Sequence, residues 1–121
     1  MIVYNNKEYT CPLEMTLDLI DGKWKVLIMW QLSLSVRRFN EIRRIFPDIT
    51  QKMLTQQLRD LEQNGLIIRT IYQQVPPKVE YSLTDFGRSL IPLLQQMNAW
   101  GSEYAAGQTG LTEKPGAQKE G

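Results

Sequence analysis

A chain of 121 residues, 42% hydrophobic and 22% charged, has the size and balance of one compact domain that needs neither disulfides nor metal to fold. With no histidine and a single cysteine, Cys11, it lacks the commonest general base, the commonest transition-metal ligand, an internal disulfide and a thiolate cage, so no enzyme activity, metal or cofactor is expected. The longest apolar run, residues 26–30, is far short of the roughly 20 residues of a membrane span, and no leader pattern precedes Cys11, so the expected compartment is the cytoplasm and no membrane partner is expected.

Behind Pro12, a favourable first helical residue, Leu13, Leu17 and Ile20 recur at helical spacing and predict a first helix over 12–20. Asp21-Gly22 breaks it. Residues 23–32, apolar on most sides through Val26, Leu27 and Trp30, read as a buried second helix. After an interruption at 33–36, Phe39, Ile42, Ile45 and Phe46 form the apolar side of a third helix whose other face carries Arg38, Glu41 and Arg44, and Pro47 ends it. Asp48-Ile49 lead to Thr50, an N-cap residue type, and Leu54, Leu58 and Leu61 form the stripe of a fourth helix that stops at Asn64-Gly65. Two amphipathic helices on so short a connection make a helix-turn-helix.

Residues 66–72 and 79–83 have strand composition and are joined by a proline-bearing segment, which predicts a hairpin. Thr84, with Asp85 behind it, caps a last helix through Leu90, Ile91, Leu93, Leu94, Met97, Trp100 and Tyr104, with Pro92 placed to kink it. From Gly107 the composition turns to Gly, Gln, Thr, Lys, Glu and Pro, so the domain is expected over 1–106 and a disordered tail over 107–121. The fold class is mainly α with a small β-hairpin, α+β.

The net charge of +1 says little by itself, because phosphate attraction depends on local patches. Between residues 37 and 59 lie six basic residues, Arg37, Arg38, Arg43, Arg44, Lys52 and Arg59, against two acids, Glu41 and Asp48. If Leu54, Leu58 and Leu61 face the core, helical geometry turns Lys52, Gln56, Arg59 and Gln63 outward, flanked by Gln51 and Thr55. Gln can bond adenine, Arg guanine, and Thr can use hydroxyl or methyl, while a helix N-terminus offers free N–H groups to phosphate. The candidate DNA-binding residues are therefore Thr50, Gln51, Lys52, Thr55 and Gln56 at the deeper end, Arg59 on base or backbone, and Arg37, Arg38, Arg69 and Lys78 on phosphates or the minor groove. A polar helix face is by default only solvated; the short helix-turn-helix, the local basic excess and the basic hairpin together favour duplex DNA as partner.

The runs Cys11-Pro12-Leu13-Glu14, Gly22-Lys23-Trp24-Lys25, Arg38-Phe39-Asn40-Glu41-Ile42, Ile49-Thr50-Gln51-Lys52-Met53-Leu54, Leu61-Glu62-Gln63-Asn64-Gly65-Leu66 and residues 75–84 resemble, in order, the HxlR-type regulators of the MarR-like winged-helix group. The resemblance spans Cys11 to about Gly101. It implies a winged helix-turn-helix homodimer joined through N- and C-terminal helices, with two recognition helices in successive major grooves of a roughly palindromic operator. The expected dimer interface is Leu13, Leu17, Leu90, Leu94, Met97, Trp100 and Tyr104, an apolar face that a lone copy would leave exposed. The chain departs from the family pattern at 33–37, Asp48 and Asp21, where glycine is common, and this bears on loop geometry.

The resemblance also implies that Cys11 occupies the position through which family members sense oxidants or electrophiles. A thiol just ahead of Pro12 would stand at a helix N-terminus, which favours thiolate, although Glu14 opposes this. The alternative is a cysteine that only packs. Trp24, Trp30, Trp100 and Tyr104 either line an effector pocket or belong to the core. The competing function class is a winged helix that binds protein rather than DNA.

Overall fold

The computed structural model describes residues 1–107. In chain order it contains β1 (Ile2–Tyr4), β2 (Lys7–Tyr9), α1 (Pro12–Leu19), α2 (Trp24–Leu34), α3 (Phe39–Ile45), α4 (Gln51–Gln63), β3 (Ile67–Tyr72), β4 (Lys78–Leu83), α5 (Asp85–Arg88) and α6 (Ile91–Gly107). Two antiparallel hairpins, β1–β2 and β3–β4, accompany the helices. This is a winged-helix architecture. Of the expected tail, residue 107 closes α6 and residues 108–121 lie outside the described residues.

The core forms where the apolar stripes converge. Ile28, Met29 and Leu32 of α2, Ile42 of α3, Ile49 of the turn, Leu54, Leu58 and Leu61 of α4, Leu66 ahead of β3, Ile67, Tyr81 and Leu83 of the wing, and Ile91 and Leu94 of α6 make one buried cluster. Helix α2 lies at its centre, against β4, α6 and α4. It runs to Leu34, two residues past the sequence-based limit, because Ser33 is accommodated by donating its hydroxyl to the Trp30 carbonyl, and the helix ends at Ser35, whose backbone is extended.

The wing is pinned to the rest of the fold twice. Its register pairs Ile67 with Leu83 and Tyr72 with Lys78, and an isolated bridge joins Arg37 to Tyr81 through N–H to carbonyl bonds of 3.1 and 2.8 Å. Between α4 and β3 the chain reverses at Gly65, whose φ is +75°; there the Leu66 N–H donates to the Leu61 carbonyl and the Gly65 N–H to Glu62, a glycine-terminated helix cap. The family-pattern departures at Asp21, Asp48 and 33–37 demand no left-handed backbone, since among the described residues only Asn5, Asn6, Gly22 and Gly65 have positive φ.

Three findings correct or extend the sequence expectations. The last helix is broken in two: Thr84 caps α5 by accepting from the Gly87 N–H at 2.9 Å, and α6 starts afresh at Ile91 because Pro92 has no N–H to return to the Arg88 carbonyl. Gly87 lies against the Leu66 backbone so closely that a Cβ there would run into the Leu66 carbonyl. Leu94 does not join an outward face; it is buried in the core, and Leu90 packs against that core, so the exposed apolar residues of α6 are Leu93, Met97, Trp100 and Tyr104.

The third is the hairpin over residues 2–9, for which helical periodicity carries no signal. Asn5 and Asn6 both take positive φ, 52° and 62°, in a two-residue turn between Ile2-Val3-Tyr4 and Lys7-Glu8-Tyr9, and Asn tolerates that conformation better than most residues. The hairpin docks on α1 through polar groups. The Tyr9 hydroxyl donates to Asp18 Oδ2 at 2.6 Å, and Lys7 Nζ stands 3.0 Å from the same oxygen.

Candidate nucleic-acid interface

Helices α3 and α4 are joined by Phe46-Pro47-Asp48-Ile49-Thr50. Ile49, 1% exposed, inserts into the core while its N–H bonds the Phe46 carbonyl at 3.1 Å, which fixes the angle between the helices. Thr50 caps α4 by accepting from the Met53 N–H at 3.0 Å, a bond worth about 1 kcal/mol to the helix. With Leu54, Leu58 and Leu61 buried, the opposite face of α4 is forced outward.

On that face Gln51, Lys52, Thr55, Gln56 and Arg59 line one open depression. Sequence reasoning named all five, and the structure brings them together. Thr55 Oγ1 donates back to the Gln51 carbonyl at 2.9 Å, so its methyl is the part free to meet a thymine.

The outlying basic candidates divide. Arg38, at the N-cap of α3, has its N–H held by Glu41 Oε1 at 2.7 Å and shares a second groove with Lys78, Arg44 and Glu80, between α3 and the wing. Lys78 is partly engaged there, 3.3 Å from Glu80 and over the Tyr72 ring at 4.8 Å from its centroid. Arg69 stands 3.8 Å from Glu62. Arg37 is drawn inward: its guanidinium donates to the Gln31 carbonyl at 3.2 Å and to Gln31 Oε1 at 3.1 Å, tying α2 to the start of the helix-turn-helix.

Two residues that sequence reasoning passed over stand behind the outer face of α4. Lys25 of α2 has a side chain only 8% exposed, and its ammonium lies 3.2 Å from Asp21 and 3.4 Å from Asp60 of α4. Asp60 Oδ1 in turn accepts from Gln56 Nε2 at 2.9 Å. The i,i+4 spacings Asp21–Lys25 and Gln56–Asp60 are signals that the sequence does contain; the cross-helix contact is not.

Cys11 is exposed and forms the N-cap of α1 with no side-chain capping bond. The four aromatic candidates do not converge. Trp24 meets Phe46 edge-on at 5.6 Å, Trp30 lines an apolar cleft of about 380 Å³ with Val26, Leu27, Phe46, Leu94 and Met97, and Trp100 stacks on Tyr104 at 5.4 Å on the outer side of α6. Among the described residues no group of acidic and cysteine side chains suits a metal ion, and no helix is long and apolar enough to cross a membrane.

The sequence matches the HxlR-like helix-turn-helix family over residues 19–109. It is similar to the HTH-type transcriptional regulator YybR of Bacillus subtilis (strain 168), 58% identical over 99 residues that cover 82% of this chain and 78% of that protein. Among solved structures it is similar to the redox regulator HypR in its oxidized form, with a TM-score of 0.74 and 57% identity over 77% of this chain and 96% of that one. It is also similar to diamide-treated YodB from B. subtilis, with a TM-score of 0.67 and 36% identity over 80% of this chain and 97% of that one.

Proposed function

The chain belongs to the HxlR-like helix-turn-helix family of transcriptional regulators, and from that premise we propose that residues 1–106 bind a specific, roughly palindromic operator as a homodimer in the cytoplasm, with α4 of each copy in a major groove. The observation that carries this is the depression on α4 where Gln51, Lys52, Thr55, Gln56 and Arg59 meet, on a helix capped by Thr50. These groups can bond base edges and phosphates together, and the first turn of α4 presents its free N–H groups at the same end. Arg38, Lys78 and Arg69 contact flanking phosphates, while Arg37 shapes the helix-turn-helix from behind. The dimer rests on apolar side chains that nothing in the described chain covers: Leu13 and Leu17 of α1, and Met97, Trp100 and Tyr104 of α6, with 68% of Trp100 exposed. Leu90 and Leu94 support that face from the core side.

Cys11 responds to oxidants or electrophiles. Its thiol is exposed at the start of α1, beside the apolar side chains Leu13 and Leu17, and solved structures exist of HypR in its oxidized form and of diamide-treated YodB. In the oxidative case two thiols, Cys11 and either the partner's Cys11 or a small thiol, lose two protons and two electrons to the oxidant and form one disulfide. A link at α1 then alters the separation of the two recognition helices.

The test is gel-shift binding to DNA from upstream of the protein's own gene and its neighbours, across a salt series, with reduced and diamide-treated protein. Site-selective binding that weakens steeply with salt is the expected result, since each neutralised phosphate releases counterions. A redox change abolished by Cys11→Ser establishes sensing. Absence of selective binding in either state would move the reading to a protein-binding winged helix.

A further inference from the structure

Lys25 is the one charged side chain buried in the core region of α2, and a buried ammonium must be paired. Its partners are Asp21, 69% exposed on its own turn of chain, and Asp60, 33% exposed on α4. Asp60 divides its two oxygens: Oδ2 lies 3.4 Å from Lys25, and Oδ1 accepts from Gln56 Nε2 at 2.9 Å. Gln56 is exposed on the face that borders the α4 depression. A chain of contacts thus runs from a buried lysine of α2 to a side chain placed to meet a base.

We infer that Asp60, held in place by Lys25, is a positioning residue that locks the orientation of the Gln56 amide and thereby sets base preference at one position of each half-site. This rests on the proposal that α4 enters the major groove. An ionised carboxylate only accepts hydrogen bonds, so it takes the amide nitrogen and turns the amide oxygen away; the reversed amide would set a carbonyl against a carboxylate. A free glutamine offers either end to DNA. Locked in this way, Gln56 presents Oε1 as an acceptor, with the second N–H of Nε2 left to donate.

In the major groove the amino groups of adenine and cytosine are the donors such an oxygen can meet, while guanine and thymine present acceptors at the corresponding edge. Adenine also offers N7 to the remaining N–H, so it satisfies both groups and cytosine only the first. Lys25 has a further effect, since it offsets the Asp60 carboxylate, which contacts a base-facing side chain of α4 and would otherwise repel phosphate.

The test selects binding sites from a randomised duplex library with the full-length wild-type chain, Asp60→Asn, Gln56→Ala and the double variant, and then measures affinities for single-base variants of the selected site. Wild type is expected to prefer adenine at a position that Gln56→Ala makes indifferent. Asp60→Asn, whose amide accepts either orientation of Gln56, should lower that preference about tenfold and leave the other positions alone, with no further effect in the Gln56→Ala background. It also keeps Lys25 paired with Asp21, and thermal melts check the fold. Lys25→Met, which fills the space without the charge, should reduce the same preference and weaken binding at every sequence.

The inference is overturned if Asp60→Asn leaves the Gln56-dependent preference intact, if it flattens all positions alike, or if Gln56→Ala changes no position. Selection of no sequence by the wild type would instead overturn the DNA-binding proposal, and this inference with it.

Discussion

Helices α4 and α6 treat their apolar residues in opposite ways. On α4 the stripe Leu54, Leu58 and Leu61 is wholly buried, and most of what remains outside is polar. On α6 only Ile91 and Leu94 are buried, while Leu93, Met97, Trp100 and Tyr104 stay in solvent, and α1 buries none of its residues. The shape of α4 is therefore completed within one chain, which is what a rigid reading head requires. The terminal helices carry apolar surface that no described part of the same chain covers, and large exposed patches of that kind mark interaction surfaces.

The comparison can be broken from either side. The largest effect is expected from Leu58→Ala, which opens a cavity under α4 and should cost about 3 kcal/mol of stability in urea unfolding; a cost below about 1 kcal/mol would mean that the α4 stripe is not the anchor described above. Next comes Trp100→Ala on α6. It should barely change the unfolding of dilute protein yet weaken self-association by about 2 kcal/mol, seen by light scattering over a concentration series. Equal monomer fractions in variant and wild type would remove Trp100 from the interface.

A smaller effect, about 1–2 kcal/mol of DNA affinity with a shallower salt dependence, is expected for Arg59→Ala. Since this side chain projects from the outer face of α4, its thermal melt should match wild type, and a destabilised melt would return Arg59 to a structural role.

The smallest effect concerns the N-terminal hairpin. Asp18 is held below the usual carboxylate range, first by the Tyr9 hydroxyl and then by Lys7. Tyr9 and Lys7 are raised, each chiefly by its hydrogen bond to Asp18. A depressed carboxyl contributes above its ordinary pKa, near 4, and that contribution is lost as pH falls through the depressed value. Raised Tyr and Lys groups contribute below their ordinary values, near 10, and lose that contribution in strong alkali. The hairpin should thus stay docked through neutral pH and loosen in acid. Hydrogen exchange at β1 and β2 amides, compared with those of α4, measures this, and Asp18→Asn should remove the acid response.

The same contrast explains how much of each helix is legible in the sequence. The strong 3.6-residue stripe of α4, the Thr50 cap and the Asn64-Gly65 stop are local features, and the helix begins and ends where they predict. The five residues around its depression follow from that stripe by geometry alone. On α6 the apolar residues lie on several sides, so periodicity does not say which of them face the core; Leu94, expected on the outer face, belongs inside. The break ahead of Ile91 has a local cause in Pro92, but whether a proline kinks or interrupts a helix depends on how the flanking segments are held, and α5 is held by Gly87 lying against the Leu66 backbone.

The sequence by itself determined the elements from α1 to the wing, the helix-turn-helix and the outward face of α4, because caps, breakers and hydrophobic period act over a few neighbouring residues. Only the tertiary structure decided that Arg37 turns inward to Gln31, that Tyr9 and Lys7 converge on Asp18, and that Lys25 reaches Asp60 behind Gln56. In each of these contacts at least one side chain is long or polar and its partner lies on another element. Which partner it finds depends on how the packed core brings those elements together, and no local pattern in the chain encodes that distance.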